Sequence, residues 1–441
     1  MRVGEPALGS NTAVVTVHVL AAATTVFIDP DNSADTAQDG SIDHPYDSFT
    51  DVSITSGYAY LLKRETQTYV DGALEIGVND ILIGAYGSGG RPYFESSSSS
   101  HAIYNWTGPQ NVIVRDLEIR STGDSCVRFG GATAANERID NVVCHGPGWG
   151  VRAFSVAGLT IVNSEIYDIR DDGIFTAENT KVEIAFNDIH DVNQNWVEPY
   201  TPQTQAGGDA IQFVDNNQWH VHHNRLDRTN SGNKFCFIAT NPSYPNLTVD
   251  EGVFEHNLLL GPKTTGDGGA SIYFGSDAAN LIVRYNTILA PSPGAIWSHS
   301  ENLVFHGNVV SGIAALTCLA SSPCTVDHNV FHAIDHDRIL FSDCGLVARN
   351  NIFDTDQDTV AISNTGSLVE SNNLYVQGPT GGDDGIEGDP LFVDPASGDF
   401  RLQAASPAID SGLDAGYTVD MDGHPIPTGA APDIGAYEYV E

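Results

Sequence analysis

The chain has 441 residues, with 57 acidic against 19 basic side chains and a formal net charge of −38. So acidic a surface argues against nucleic acid and anionic membranes as partners. No apolar run reaches the roughly 18 residues that would mark a membrane-spanning helix, and a length of this size suits either a few ordinary domains or one long repeat array.

Met1-Arg2 is followed by Val-Gly-Glu-Pro and not by an apolar core with a cleavage site, so no secretory signal is read here. Residues 11–20 alternate like one strand. Residues 1–24 are expected to be a strand and linker left from a preceding domain of a longer secreted protein, with a native N-terminus as the alternative. Residues 25–110 read as an N-terminal cap and first turns, with strands near residues 25–28, 59–62 and 81–83.

A repeat begins near residue 111. A short apolar strand ends in Asn or Asp and is followed by another apolar pair. The marks are Asp116, Asp140, Asn163, Asn187, Asn224, Asn257, Asn286, Asn308, Asn329, Asn351 and Asn373. Their spacings are 21 to 24 residues, apart from three of 37, 33 and 29. Short strands at that period, with turn residues and no helical pattern, predict an all-β fold: a single parallel β-helix of about 22-residue turns over residues 111–376. The recurrent Asn suits a stacked position where side-chain amides bond along the axis. The extra residues fall at 193–208, at 229–233 with 241–250, and at 262–269. Solenoid insertions gather on the binding face.

The inserted turns hold charged residues just before a strand: Asp171-Asp172-Gly173, Gly208-Asp209-Ala210 and Asn233-Lys234-Phe235. Aligned turn on turn, Asp172, Asp209 and Lys234 are expected to share one column. Alternation turns Val127, Val151, Ile174, Ile211, Cys236, Ile272 and Ile296 inward. The outward column then reads Arg128, Arg152, Phe175, Gln212, Phe237, Tyr273 and Trp297. Exposed rings and arginines in a row suit sugar faces and carboxylates, and Arg225 joins these candidate substrate contacts. Of the 19 basic residues, twelve lie between Arg115 and Arg284, which points to an anionic ligand.

Histidines offer a further candidate base. His190 and His223 are the best placed, while His220 and His222 share one side of their strand and His223 takes the other. No Cys-x-x-Cys pair occurs among Cys126, Cys144, Cys236, Cys318, Cys324 and Cys344, so zinc is not expected. Cys318 and Cys324 flank a short loop and are placed to form a disulfide. The other four read as small buried residues.

Residues 377–441 change character, with Gly388-Asp389-Pro390-Leu391-Phe392, Ser406-Pro407-Ala408-Ile409-Asp410 and Asp433-Ile434-Gly435-Ala436-Tyr437. Repeats plus this capping tail resemble bacterial right-handed parallel β-helix proteins of the pectate-lyase-like superfamily. The resemblance implies that fold and a secreted, carbohydrate-related role. It does not fix a reaction, because the superfamily holds lyases, hydrolases, epimerases and non-catalytic proteins.

Three functions are weighed. In the first, Asp171, Asp172 and Asp209 bind Ca²⁺, the metal and an arginine neutralise a uronate, and Lys234 takes its α-proton for β-elimination. This is similar to the calcium-and-lysine chemistry of some pectate lyases. In the second, Asp172 and Asp209 are an acid/base pair for glycoside hydrolysis. Asp171-Asp172-Gly173 resembles the paired-Asp element of the polygalacturonases, but that family's Asn-Thr-Asp, Gly-His-Gly and Arg-Ile-Lys elements are absent. The third is a non-catalytic glycan-binding or wall protein. The expected partner throughout is an anionic polysaccharide, met by a secreted monomer.

Overall fold

The computed structural model describes residues 24–70, 72–192, 208–229, 236–240, 249–261, 271–275, 278–292, 296–313, 316–319, 323–334, 338–355, 360–377 and 380–441. Lys234 and the strand expected at residues 11–20 lie outside the described residues. The chain divides into two compact units, residues 19–250 and residues 251–441.

In the first unit the chain coils through three parallel sheets and returns to each once per turn. The first sheet stacks Val112–Arg115, Ala135–Asp140, Ala157–Val162, Thr180–Ala185 and Asn217–His222 in sequence order. The second stacks Glu118–Ser121, Val143–His145, Glu165–Tyr167, Asp188–His190 and Arg225–Asp227. The third stacks His101–Tyr104, Ser125–Gly130, Trp149–Phe154, Ile174–Ala177, Ile211–Val214 and Ile238–Thr240. Consecutive turns meet in register, with Val127 on Val151, Val151 on Ile174 and Ile174 on Ile211. The inward side chains make a fully buried core, as alternation requires. The parallel β-helix read from the repeat is therefore the fold.

Each turn from the first sheet to the second needs a left-handed residue. Asp116, Asn141, Asn163, Phe186 and His223 supply it, with φ between 54° and 60°. The next position points inward, and from Ser164 onward it carries a ladder. Ser164 N–H donates to Asn187 Oδ1 at 3.0 Å, and Asn187 N–H to Asn224 Oδ1 at 3.0 Å. Each amide also donates from Nδ2, Asn187 to Ile161 O and Asn224 to Ile184 O, both at 2.9 Å. So the sequence marks occupy three places, with Asp140 ending its strand one step before the turn residue Asn141. Asp116 and Asn163 are turn residues, whereas Asn187 and Asn224 lie one step further in, where the amides stack.

The second unit repeats this plan. Asn257, Asn286, Asn308, Asn329, Asn351 and Asn373 form one continuous buried ladder, each N–H donating to the next Oδ1 at 2.9–3.0 Å. Its tail does more than close an end. Phe392, Phe400, Leu402, Ile434 and Ala436 pack on Val309, Val330, Ile352 and Leu374, which belong to four successive turns. Residues 411–419 run back along the turn corners. They take hydrogen bonds from Asn372 to Ser411 O, Asn350 to Leu413 O and Tyr285 to Val419 O.

The cysteine reading is corrected. Cys126 and Cys144 form a disulfide between the third and second sheets of the first unit. Cys318 and Cys324 are buried free thiols that hydrogen-bond to each other. Two strand cysteines 18 residues apart meet because the coil folds both side chains into one cross-section.

Candidate functional site

The site is built on the third sheet of the first unit. At the start of its strands, or just before it, stand Ser125, Trp149, Asp172 and Asp209, turn above turn. Gly173 N–H donates to Asp209 O at 2.8 Å, which sets the two aspartates level. Gly208 permits the approach, because a Cβ there would lie 2.3 Å from Asp171 O. Asp172 Oδ1 accepts from Asp209 N at 2.8 Å, and Asp172 Oδ2 from Trp149 Nε1 at 3.2 Å. Asp209 Oδ1 accepts from Cys236 N at 2.9 Å.

That last bond corrects the expected column. The position after Asp209 belongs to Cys236, not to Lys234. Ile238 pairs with Ile211, and Ala239 with Gln212, so the segment sits two residues later than the sequence alignment placed it. Phe237, expected to be exposed, stands just ahead of its strand and is fully buried, with the Arg228 guanidinium 4.7 Å over its ring. A slip of two residues preserves strand alternation, and so the pattern of apolar residues could not reveal it.

Asp172 is 3% exposed and Asp209 4%, while Asp171 is half-buried. Three carboxyl groups share one low-dielectric pocket and raise one another's proton affinity. Burial, then the neighbouring Asp171 and Asp209, hold Asp172 well above the carboxylate range. Burial, with Asp171 adding to it, pushes Asp209 up to about 8 against the hydrogen bond from Cys236. Burial raises Asp171 to about 6, and Arg152 restrains it.

The outward column runs Tyr104, Arg128, Arg152, Phe175, Gln212. Arg128 is not exposed as expected. It is buried, its guanidinium 3.2 Å over the Trp106 ring and 5.0 Å from that of Phe154, with Nη1 donating to Asn105 O at 2.9 Å. Arg152 lies over Trp149, Phe154 and Phe175, with Asp124 Oδ2 at 3.5 Å. Trp106, Asp124 and Phe154 were not singled out by the sequence reading. They stand just before or after the aligned strand positions, where a column alignment does not look.

The other candidates lie elsewhere. Arg225 is on the second sheet, paired with Asp188 at 2.8 Å and Asp227 at 2.5 Å. His190 is also there, with Nδ1 2.9 Å from Asp191 and its ring stacked on Tyr167. His223 takes the left-handed turn position at φ 55°, which brings its Nδ1 to 2.9 Å from that of His222. The two rings therefore meet, against the expectation that alternation parts them. In the second unit Tyr273 pairs in register with Trp297, which is exposed.

A calcium ion held, as expected from the sequence, by Asp171, Asp172 and Asp209 would share oxygens that already accept hydrogen bonds. Both Asp172 oxygens already take N–H donors, as does Asp209 Oδ1. Among the described residues, no group of three or more His, Cys, Asp or Glu side chains is arranged to hold a metal ion.

Residues 101–310 match the family model described as a right-handed β-helix region. No curated protein matches the sequence. Among solved structures, the chain is similar to XylC in complex with xylose, at 8% identity and a TM-score of 0.51, over 95% of this chain and 99% of that one. It is also similar to pectate lyase Pel9A, at 16% identity and a TM-score of 0.37, over 95% and 98%. A GH136 lacto-N-biosidase from Eubacterium ramulus aligns at 13% identity and a TM-score of 0.46, over 78% and 68%. At such identities the likeness concerns the fold alone: a right-handed parallel β-helix.

Proposed function

We propose that this right-handed β-helix is a carbohydrate-active enzyme that hydrolyses glycosidic bonds, with Asp209 as general acid and Asp171 as its ionised partner. The observation that carries the reading is the stacking of Asp209 on Asp172, joined by Asp209 N–H to Asp172 Oδ1 at 2.8 Å, with Asp171 beside them and Arg152 acting on Asp171. Asp209, near 8, keeps its proton at neutral pH, whereas Asp171, near 6 and beside Arg152, gives it up. Two acids driven apart in this way suit the two roles that glycoside hydrolysis requires. Asp209 protonates the glycosidic oxygen as the bond to the anomeric carbon breaks. Asp171 attacks that carbon or draws a proton from the water that does. Asp172 is a positioning residue, tied to Trp149 and to the Asp209 backbone.

Secretion fits this reading. The Cys126–Cys144 disulfide supports an oxidising compartment, and a polymeric substrate is met outside the cell.

The test is incubation with a panel of neutral and uronate polysaccharides, following both reducing ends and ultraviolet absorbance. New reducing ends without absorbance, lost in Asp209→Asn, are the expected result. A rise in absorbance from an unsaturated product would replace hydrolysis with β-elimination. Neither signal over the panel would leave a binding protein as the better account.

A further inference from the structure

Trp106 is 53% exposed, so the core does not need its ring. It is nonetheless held. Arg128 packs over it at 3.2 Å, and His101 and Tyr104 stand at its edges with centroids 5.6 and 6.2 Å away. Beyond Arg128 the stack continues through Phe154 to Arg152 and then Phe175, which shares the Asp172 turn. Gly130 makes room for it, since a Cβ there would come 2.9 Å from Phe154 O. Rings and guanidinium groups alternate from an exposed indole to the carboxyl cluster, each fixing the next. A ring fixed before binding loses little entropy when a ligand stacks on it.

The charge of this face decides what can stack there. Its described acids are Glu75, Asp124, Asp171, Asp172 and Asp209; its described cations are Arg128, Arg152, Arg170, whose Nη2 donates to Thr122 O and Gly123 O, and Arg228, buried over the Phe237 ring. Arg128 has its guanidinium covered by Trp106 and Phe154. Arg152 is already shared by Asp124, Asp171 and Asp172. A uronate laid along the stack would meet carboxylates at one end and at the other an arginine turned away from it. An uncharged sugar has no such conflict, and its apolar face suits an indole.

We infer that Trp106 is a sugar-binding subsite three turns from the Asp172 turn, and that the glycan it holds is neutral rather than uronate. This rests on the glycosidase reading for its place in a reaction, but not for its chemistry. Three turns span about 14 Å, so a chain seated on both ends crosses the face along the solenoid axis.

The test uses the full-length Asp209→Asn protein, so that binding is read without cleavage. Affinity electrophoresis is run through gels holding arabinoxylan, mixed-linkage glucan or galactomannan, and through gels holding polygalacturonate or alginate. At least one neutral gel should retard the protein while the uronate gels do not. Adding Trp106→Ala should weaken that retardation about three- to tenfold, whereas Trp106→Phe should keep most of it. Circular dichroism of the alanine variant separates lost stacking from lost fold. Retardation by the uronate gels, by no gel, or equally with and without Trp106 would overturn the inference. If the wild type cleaves nothing yet Trp106-dependent retardation persists, the glycosidase reading falls and the subsite stands.

Discussion

Asn187 and Asn224 stand one above the other inside the coil, and so do Asp172 and Asp209. Both pairs spend side-chain oxygens on backbone N–H groups of neighbouring turns. The amide has a second half, however. Its Nδ2 donates to a carbonyl one turn back in sequence, as in Asn187 to Ile161, and the group is satisfied without charge. A carboxylate in the same kind of slot carries a charge into a low dielectric, or else a proton. Stacked amides are therefore a solved problem of folding. Stacked acids are an unsolved one that the chain retains, and such places are where chemistry is found.

The largest effect expected is on catalysis. Asp209→Asn should lower the rate by about 10² to 10⁴, the range of general acid loss, while leaving the melting temperature unchanged or raised. A variant that melts early and loses activity only in proportion would make the acid column structural, like the ladder. The converse substitution should fail in the opposite way. Asn329→Asp, in the middle of the second unit's ladder, puts a carboxylate where Phe305 O and Asp327 O now receive N–H donors. A loss of about 3–5 kcal/mol is expected at neutral pH, read by denaturant titration, with partial recovery in acid.

The pH dependence sharpens the contrast. Asp209 has an ordinary value of 3.8 and sits near 8 in the fold. Its protonated form is thus favoured by folding, and that stability is complete below about pH 4 and lost as pH rises towards 8. Glu137, buried in the first sheet, acts in the same sense. Burial raises it from 4.5 to about 9, outweighing a hydrogen bond from the Val112 backbone. Thermal melts should therefore be higher at pH 5 than at pH 8, and Asp209→Asn should flatten the slope. Hydrolysis itself should pass through a maximum between the Asp171 and Asp209 values, near 6 and 8. The smallest effect is at Glu137 alone. Glu137→Met should raise stability at pH 8 by about 1–3 kcal/mol without touching activity.

Much of this contrast was legible in the residues. The period named the fold, because a solenoid writes its geometry directly into spacing, and Asp172 and Asp209 could be stacked because one small residue, Gly173 or Ala210, and then an apolar strand follow each. What failed was the next step. Between Asp209 and Ile238 the chain leaves the regular period, and Phe235-Cys236-Phe237 fits the alternation as well as Phe237-Ile238-Ala239 does. Backbone pairing chose the second. Arg128 was misjudged for another reason. Alternation tells which way a side chain leaves its strand, not that Trp106 will close over it. The disulfide escaped notice because cross-sectional neighbours are not sequence neighbours.

That disulfide also gives the first unit a mechanical signature. A solenoid pulled by its two ends peels turn by turn, each freed turn adding its own length to the tether. Cys126 and Cys144, 18 positions apart, close a loop that tension cannot reach. In a single-molecule extension trace the oxidised protein should fall short of the reduced one by about 60 Å, the extended length of that loop. One covalent ring would thus act as a stop-knot in a thread that otherwise unwinds.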